Sequence, residues 1–313
     1  MKTRIHRYAA CLLLSLAGPL AAVTADGRSK LVLMAGKVSP PHPPRTHEFN
    51  AGVQVLAKSL AQGAPRLKVE VMLNGWPRDE SIFADADAVV FYMDGGAKHE
   101  AVQEEGARLA KIDQWARRGV GIGALHAGVI VDVAKAGTQF KRWIGGHFES
   151  LYSCTPMWEP VFADFPRHPV TRGVKPFQIR DEWYFNMRFV EGFSAEAASR
   201  KDGTIFTPIL VAKPSDATRD GPYVAPKGPY PHIQAAKGRL EAMMWVVERP
   251  DGGRGMGFTG GHFHDNWAND NFRKVVLNAL VWLAKGEVPA GGVDSKVTQD
   301  ELDANLDLKP VKK

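Results

Sequence analysis

Val120-Gly121-Ile122-Gly123-Ala124-Leu125-His126-Ala127-Gly128 is an uncharged apolar run that ends on a histidine beside small residues. Such a run suits a strand buried on both faces of a parallel sheet. The residues before it spell a helix from His99 or Glu100 to Arg118. Leu109, Ile112 and Trp115 form its apolar side, Arg117 and Arg118 suit its carboxyl end, and Gly119 suits the stop. Further back, Leu31-Val32-Leu33-Met34, Lys68 to Leu73 and Ala88 to Met93 read as three more strands. Phe49, Val53, Leu56 and Leu60 fall on one helical face, with Thr46 as the expected cap and Gly63 as the end. This alternation predicts an α/β fold of three α/β/α layers, flavodoxin-like, around a mostly parallel sheet with right-handed crossovers.

The second half is less regular and predicts insertions. Pro156 to Phe165, Gln178 to Tyr184, Thr207 to Lys213, Arg239 to Glu248 and Gly255 to Thr259 read as extended. Asp202 to Ala236 is rich in proline, glycine and charge, as a surface excursion would be. A last helix is expected from about Trp267 to Ala284, and Thr298 with Glu301 has capping-box spacing.

The amino terminus has the layout of a cleavable export signal. Lys2, Arg4 and Arg7 precede a short apolar run, and small residues follow at Ala21-Ala22 and Ala25. This divides the chain into a signal peptide at 1–25, one domain at 26–286 and a C-terminal tail at 287–313. It places the protein outside the cytoplasm, periplasmic or secreted. The net charge of +6 loses three units with the signal peptide. No basic stripe with interleaved aromatics remains, so nucleic acid is not an expected partner. No second long apolar run follows, so no membrane span is expected after cleavage. Cys154 is then the only cysteine, which precludes an intrachain disulfide.

Histidines supply the candidate chemistry. Gly145-Gly146-His147-Phe148 and Gly260-Gly261-His262-Phe263 repeat one tetrapeptide, and His126 ends the strand quoted above. In open α/β sheets ligands sit beyond the carboxyl ends of the strands. His126, His262 and His264 fall there, and His42 and His47, in the loop after the first strand, reach the same rim. If Gly261 to Asp265 stays extended, His262 and His264 share a face and can bind a divalent metal, zinc or manganese. Asp181 or Glu182 would complete the shell. The competing reading has one of the two histidines capping the last helix or bonding to the core.

His126 is expected as a general acid, a base or a ligand, against a buried histidine satisfied by backbone. Neighbours in a strand face opposite ways, so one of Asp181 and Glu182 should enter the site. Trp183, Tyr184 and Trp267 are candidate sugar platforms with His147 as a wall, although tryptophan is more often core. Gly121-Ile122-Gly123 lies within a strand and does not open a helix, and no Walker loop occurs, so no nucleotide is expected. Gly-x-Ser-x-Gly is absent.

Taken together, Gly121 to Gly128, Gly145 to Phe148, His168-Pro169-Val170-Thr171, Asp181-Glu182-Trp183-Tyr184, Gly260 to His264 and Asn278 to Trp282 resemble the trehalose-utilisation (ThuA-like) family. The resemblance covers about Lys30 to Lys285. It implies a fold like that of class I glutamine amidotransferases and a role in sugar metabolism, often beside sugar-oxidising dehydrogenases. Those amidotransferases carry a cysteine nucleophile where this chain has His126, so thioester chemistry on glutamine is excluded. The expectation is an exported enzyme acting on a small carbohydrate, a sugar or a keto-glycoside, with His126, His262, Asp181 and Glu182 as catalytic residues. Its reaction would be isomerisation, elimination or hydrolysis. The alternatives are a non-catalytic sugar-binding or accessory protein and a metal-dependent hydrolase. A homo-oligomer is compatible with the sequence.

Overall fold

The computed structural model describes residues 28–309. The expected signal peptide lies outside them. Eight strands form one sheet: β1 (Lys30–Ala35), β2 (Lys68–Met72), β3 (Ala88–Tyr92), β4 (Gly121–Leu125), β5 (Ser199–Lys201), β6 (Thr204–Ala212), β7 (Glu241–Glu248) and β8 (Arg254–Phe258). Their order is β5-β6-β7-β8-β4-β3-β1-β2. Pairing is parallel from β8 through β4, β3 and β1 to β2. It is antiparallel from β5 to β8.

Alternation along β1 separates two cores. Leu31 and Leu33 face one side, with Leu56 of α1 (Phe49–Gly63) and Leu280. Val32 and Met34 face the other, with Ile112 of α2 (Ala107–Arg117) and Phe140 and Trp143 of α3 (Val133–Ile144). Leu280 belongs to α4 (Asp270–Leu283). Helices on both faces of a mostly parallel sheet are the expected three-layer arrangement.

Three local expectations need correction. Thr46 does not cap α1: it pairs with Phe263 in an isolated antiparallel bridge, and Glu48 takes the cap position without a side-chain cap bond. The expected helix from His99 is broken, because Glu104 and Glu105 adopt left-handed backbone and α2 starts only at Ala107. The helix α3 was not expected. It carries Gly137 in mid-helix, where an added Cβ would lie 3.2 Å from the His147 ring nitrogen.

The insertions between α3 and β7 contain two-residue strand pairs, among them Met157–Trp158 with Asp181–Glu182. The tail is packed on the domain. Val288, Val293 and Leu302 are buried, and α5 (Gln299–Asp303) starts with the Thr298–Glu301 capping box. No helix among the described residues is long and apolar enough to cross a membrane.

Candidate metal centre

Four buried side chains converge at the carboxyl ends of the parallel strands: His47, His126, Glu182 and His262. Each comes from a different connection. His47 lies in the loop from β1 to α1, His126 follows β4, Glu182 sits on the short inserted pair, and His262 follows β8.

The local backbone is held under constraint. His126 has φ +49 and His47 φ +52, in the left-handed region that side chains usually avoid. Such conformations persist only where the surroundings over-determine them. Gly261, at φ +101, is the turn residue before His262. Asp181 fixes that turn by accepting from Gly261 N at 2.7 Å and His262 N at 3.0 Å. Tyr92 donates its hydroxyl to the Gly261 carbonyl. Glu182, next to Asp181 in the chain, is the one that enters the cluster. The alternation expected of the pair therefore appears, with Asp181 as a brace.

The outer nitrogens settle the tautomers. His126 Nδ1 lies 3.0 Å from the Thr259 carbonyl, which can only accept, so Nδ1 carries the hydrogen. His47 Nδ1 lies 3.1 Å from Asp94 Oδ1, and the carboxylate likewise requires a donor. In their neutral forms both rings present a bare Nε2 to the centre. These two nitrogens are 3.1 Å apart, and His47 Nε2 is 3.1 Å from His262 Nδ1. Glu182 Oε2 lies 2.9 Å from His262 Nδ1 and 3.5 Å from His126 Nε2. A tetrahedron with ligand bonds of about 2.0–2.1 Å has edges of about 3.3–3.4 Å, so these spacings fit a small divalent cation. Asp94 and the Thr259 carbonyl orient the two rings from outside, as the outer partners of a metal's histidines would.

Electrostatics tell the same story. Burial pulls His126 down, but the hydrogen bond and charge of Glu182 outweigh it and leave the ring holding a proton more readily than a free histidine. Burial raises Glu182, yet its bonds to His126 and His262 prevail and hold it down to about 2. Burial drives His47 down to about 3. Asp94 is raised by burial and pulled lower still by His47 and Ser39, to about 2. The centre thus favours one positive charge, as a proton on His126 or as a cation.

Around the four lie Tyr184 and His42. The Tyr184 hydroxyl is 3.1 Å from His126 Nε2, and its ring stacks on that imidazole. Burial first, then the carboxylates of Glu182 and Asp181, keep this phenol protonated. Half-buried His42 stacks on His47 at 3.5 Å between centroids. Its Nδ1 meets Ser39 Oγ at 2.8 Å, and Ser39 donates to Asp94 at 2.6 Å.

The expected pairing of His262 with His264 does not form. A 3-10 turn over His264–Ala268 replaces the extended segment, and His264 Nε2 instead bonds to the Leu302 carbonyl. Burial lowers its affinity for a proton, as for a neutral core histidine. Trp183 and Trp267 are fully buried. Trp183 packs on Phe162, Phe258 and Phe272, and Trp267 on Tyr92 and Phe272, so neither offers a face to sugar. His147 is buried beside Gly137, with Nδ1 on the Phe148 carbonyl, and is not among the converging groups. Cys154 is buried with its thiol pushed up by desolvation, which leaves it inert as a nucleophile.

The fold and site together define an α/β protein with a buried cluster of three histidines and one glutamate at the carboxyl ends of its parallel strands. The chain belongs to the ThuA family, described as trehalose utilisation, whose model matches residues 42–283. That span includes all four converging residues. Among solved structures, a ThuA-like protein from Bacteroides uniformis ATCC 8492 is similar at TM-score 0.54 and 15% identity, covering 90% of this chain and 95% of that one. A ThuA-like protein from Parabacteroides merdae ATCC 43184 is similar at TM-score 0.52 and 16% identity, covering 87% and 94%. A glutamine amidotransferase from Thermotoga maritima aligns at TM-score 0.41 and 9% identity, covering 83% and 100%. No curated protein matches the chain significantly in sequence.

Proposed function

We propose that this chain is an exported, metal-dependent enzyme that acts on a sugar or keto-glycoside by acid–base chemistry. One observation carries the metal: His47 Nε2 and His126 Nε2, which carry no hydrogen in the neutral rings, face each other at 3.1 Å beside Glu182 and His262. Three imidazoles and one carboxylate suit zinc or manganese. When bound, the ion supplies charge stabilisation for an oxygen that turns negative during reaction. The family description, trehalose utilisation, supports a carbohydrate as substrate.

The chain's own residues supply the proton chemistry. Tyr184 stays protonated, and its hydroxyl, 3.1 Å from His126 Nε2, would be free to donate to a substrate oxygen once an ion takes that nitrogen. Because Ser39 spends its hydrogen on Asp94, His42 Nδ1 must donate to Ser39, which leaves His42 Nε2 as an acceptor. A keto-glycoside has an acidic C–H beside its carbonyl. Transfer of that proton to a base leaves an enediolate. Reprotonation at the neighbouring carbon isomerises the sugar, and expulsion of the glycosidic oxygen eliminates it.

The test is turnover of keto-glycosides by metal-loaded wild type, His126→Ala and His262→Ala. Losses of at least about 100-fold are expected in both variants. Unchanged turnover in both removes the assignment. Tight sugar binding without product by the loaded wild type would instead favour a non-catalytic accessory protein. Release of sugar from an unoxidised glycoside would favour a metal-dependent hydrolase.

A further inference from the structure

We propose that Lys309, at the far end of the chain, is a positioning residue that sets the His47 ligand; this rests on the metal assignment above. The ammonium of Lys309 donates to the Thr46 carbonyl, to the His47 carbonyl at 3.2 Å and to Glu48 Oε1 at 3.0 Å. Those three bonds use the full donor complement of an ammonium. The Lys309 and Glu48 side chains are both fully buried. A buried charge is tolerated only when paired and hydrogen-bonded.

The choice of acceptors gives the pair its meaning. The Thr46 carbonyl belongs to the peptide plane before His47, and the His47 carbonyl to the plane after it. Holding both planes fixes φ and ψ of the residue between them, and that residue is left-handed at φ +52. Without such a grip a histidine relaxes toward its ordinary backbone regions and swings its ring away. Glu48 completes the clamp, since Oε1 also accepts from Arg45 N and Oε2 from Asp307 N, each at 2.8 Å. The tail is anchored elsewhere by Arg45 to Asp303 at 2.7 Å, by His264 to the Leu302 carbonyl and by Lys58 to Glu301. The tail is therefore part of the centre's construction, and its last described residue reaches the backbone of a ligand.

The experiment compares full-length wild type with Lys309→Met, both stripped by chelator. The Kd for Zn2+ is measured by competition with a chromogenic chelator, and the thermal midpoint of each metal-free protein is recorded. Loss of an outer partner that orients a ligand is expected to raise the Kd by about 10- to 100-fold. A purely structural role lowers the metal-free midpoint and leaves the Kd of the folded protein unchanged. Glu301→Ala, which loosens α5 without touching His47, should keep the wild-type Kd. A Kd raised in Glu301→Ala as much as in Lys309→Met overturns the specific role of Lys309, as does an unchanged Kd in Lys309→Met. If Lys309→Met does not fold, Glu48→Gln is measured in the same way, with a raised Kd expected and an unchanged Kd contradicting the proposal. A wild type that takes up no Zn2+ overturns the metal assignment and this proposal together.

Discussion

His47 Nε2 lies 3.1 Å from His126 Nε2, and the other nitrogen of each ring is already committed, to Asp94 and to the Thr259 carbonyl. Two lone pairs held that close repel unless positive charge lies between them. Each ring is held in place by the hydrogen bond at its outer nitrogen. On the metal assignment proposed above, a proton and a cation compete for the same place.

Metal should therefore stabilise the fold. An ion that binds only the native state, supplied at about 100 times its Kd, adds about 2.7 kcal/mol. Thermal unfolding of chelator-treated protein with rising Zn2+ or Mn2+ measures this. The midpoint should climb in wild type and stay flat in His126→Ala. A flat response in wild type to both ions argues against the centre.

The two histidines of the Gly260–His264 segment should behave differently. His262→Ala removes a converging ligand and should lose metal affinity. His264→Ala removes a bond to the Leu302 carbonyl and should cost about 1–3 kcal/mol of stability with the Kd for Zn2+ unchanged. Denaturant unfolding and metal titration of both variants check the contrast. Equal loss of affinity in the two would restore the pair that the structure separates.

Stability should also depend on pH in a defined way. His126 has a raised pKa in the fold, so its contribution is complete below about 6.5 and is lost as pH rises through the folded value. His47, held down to about 3, acts oppositely: the unfolded chain takes up its proton first, so stability falls as pH drops below about 6.5. His99 and His168, both desolvated to about 4, add to that acid limb. Glu182 contributes a further loss as pH falls from about 4.5 towards 2. Metal-free protein should be most stable near pH 6.5, as measured by its thermal midpoint across pH 4–9. The gain from added Zn2+ should grow above that pH, because the proton on His126 then leaves. A gain that shrinks with rising pH contradicts the competition.

Asp181→Asn should act through the backbone. It replaces a carboxylate that accepts from Gly261 N, His262 N and Asn266 Nδ2 with a group that can accept at only one oxygen. A cost of about 2–4 kcal/mol is expected, since bonds to charged acceptors contribute about 1.5–3 kcal/mol each. Denaturant unfolding of the metal-free variant reads this directly, and a change below about 0.5 kcal/mol would show that Asp181 is not the brace.

The parallel strands were legible because strands buried on both faces leave unbroken apolar runs, as Leu31 to Met34 and Val120 to Leu125 do. His126 and His262 were legible because glycine turns mark the strand ends that carry them. Glu182 was legible only as one of a pair, since alternation says that one residue enters without saying which. His47 could be placed on the rim but given no role: it stands 79 residues from His126 and 215 from His262, a spacing without a local signature. Trp183 and Trp267 misled because an aromatic ring suits a core as well as a platform. His264 misled because a single 3-10 turn cancels the period-two rule. The helix Val133–Ile144 was hidden by Gly137, a poor helix former, where an added Cβ would lie 3.1 Å from Val133 Cγ1 and 3.2 Å from His147 Nε2.

The most direct test of the centre is the metal content of purified protein. After incubation with Zn2+ or Mn2+ and gel filtration, elemental analysis should find about one ion per wild-type chain, the number that four converging ligands can hold. Folded His47→Ala and His126→Ala variants should retain almost none. Wild type that emerges without metal, or variants that retain as much as wild type, would contradict the account.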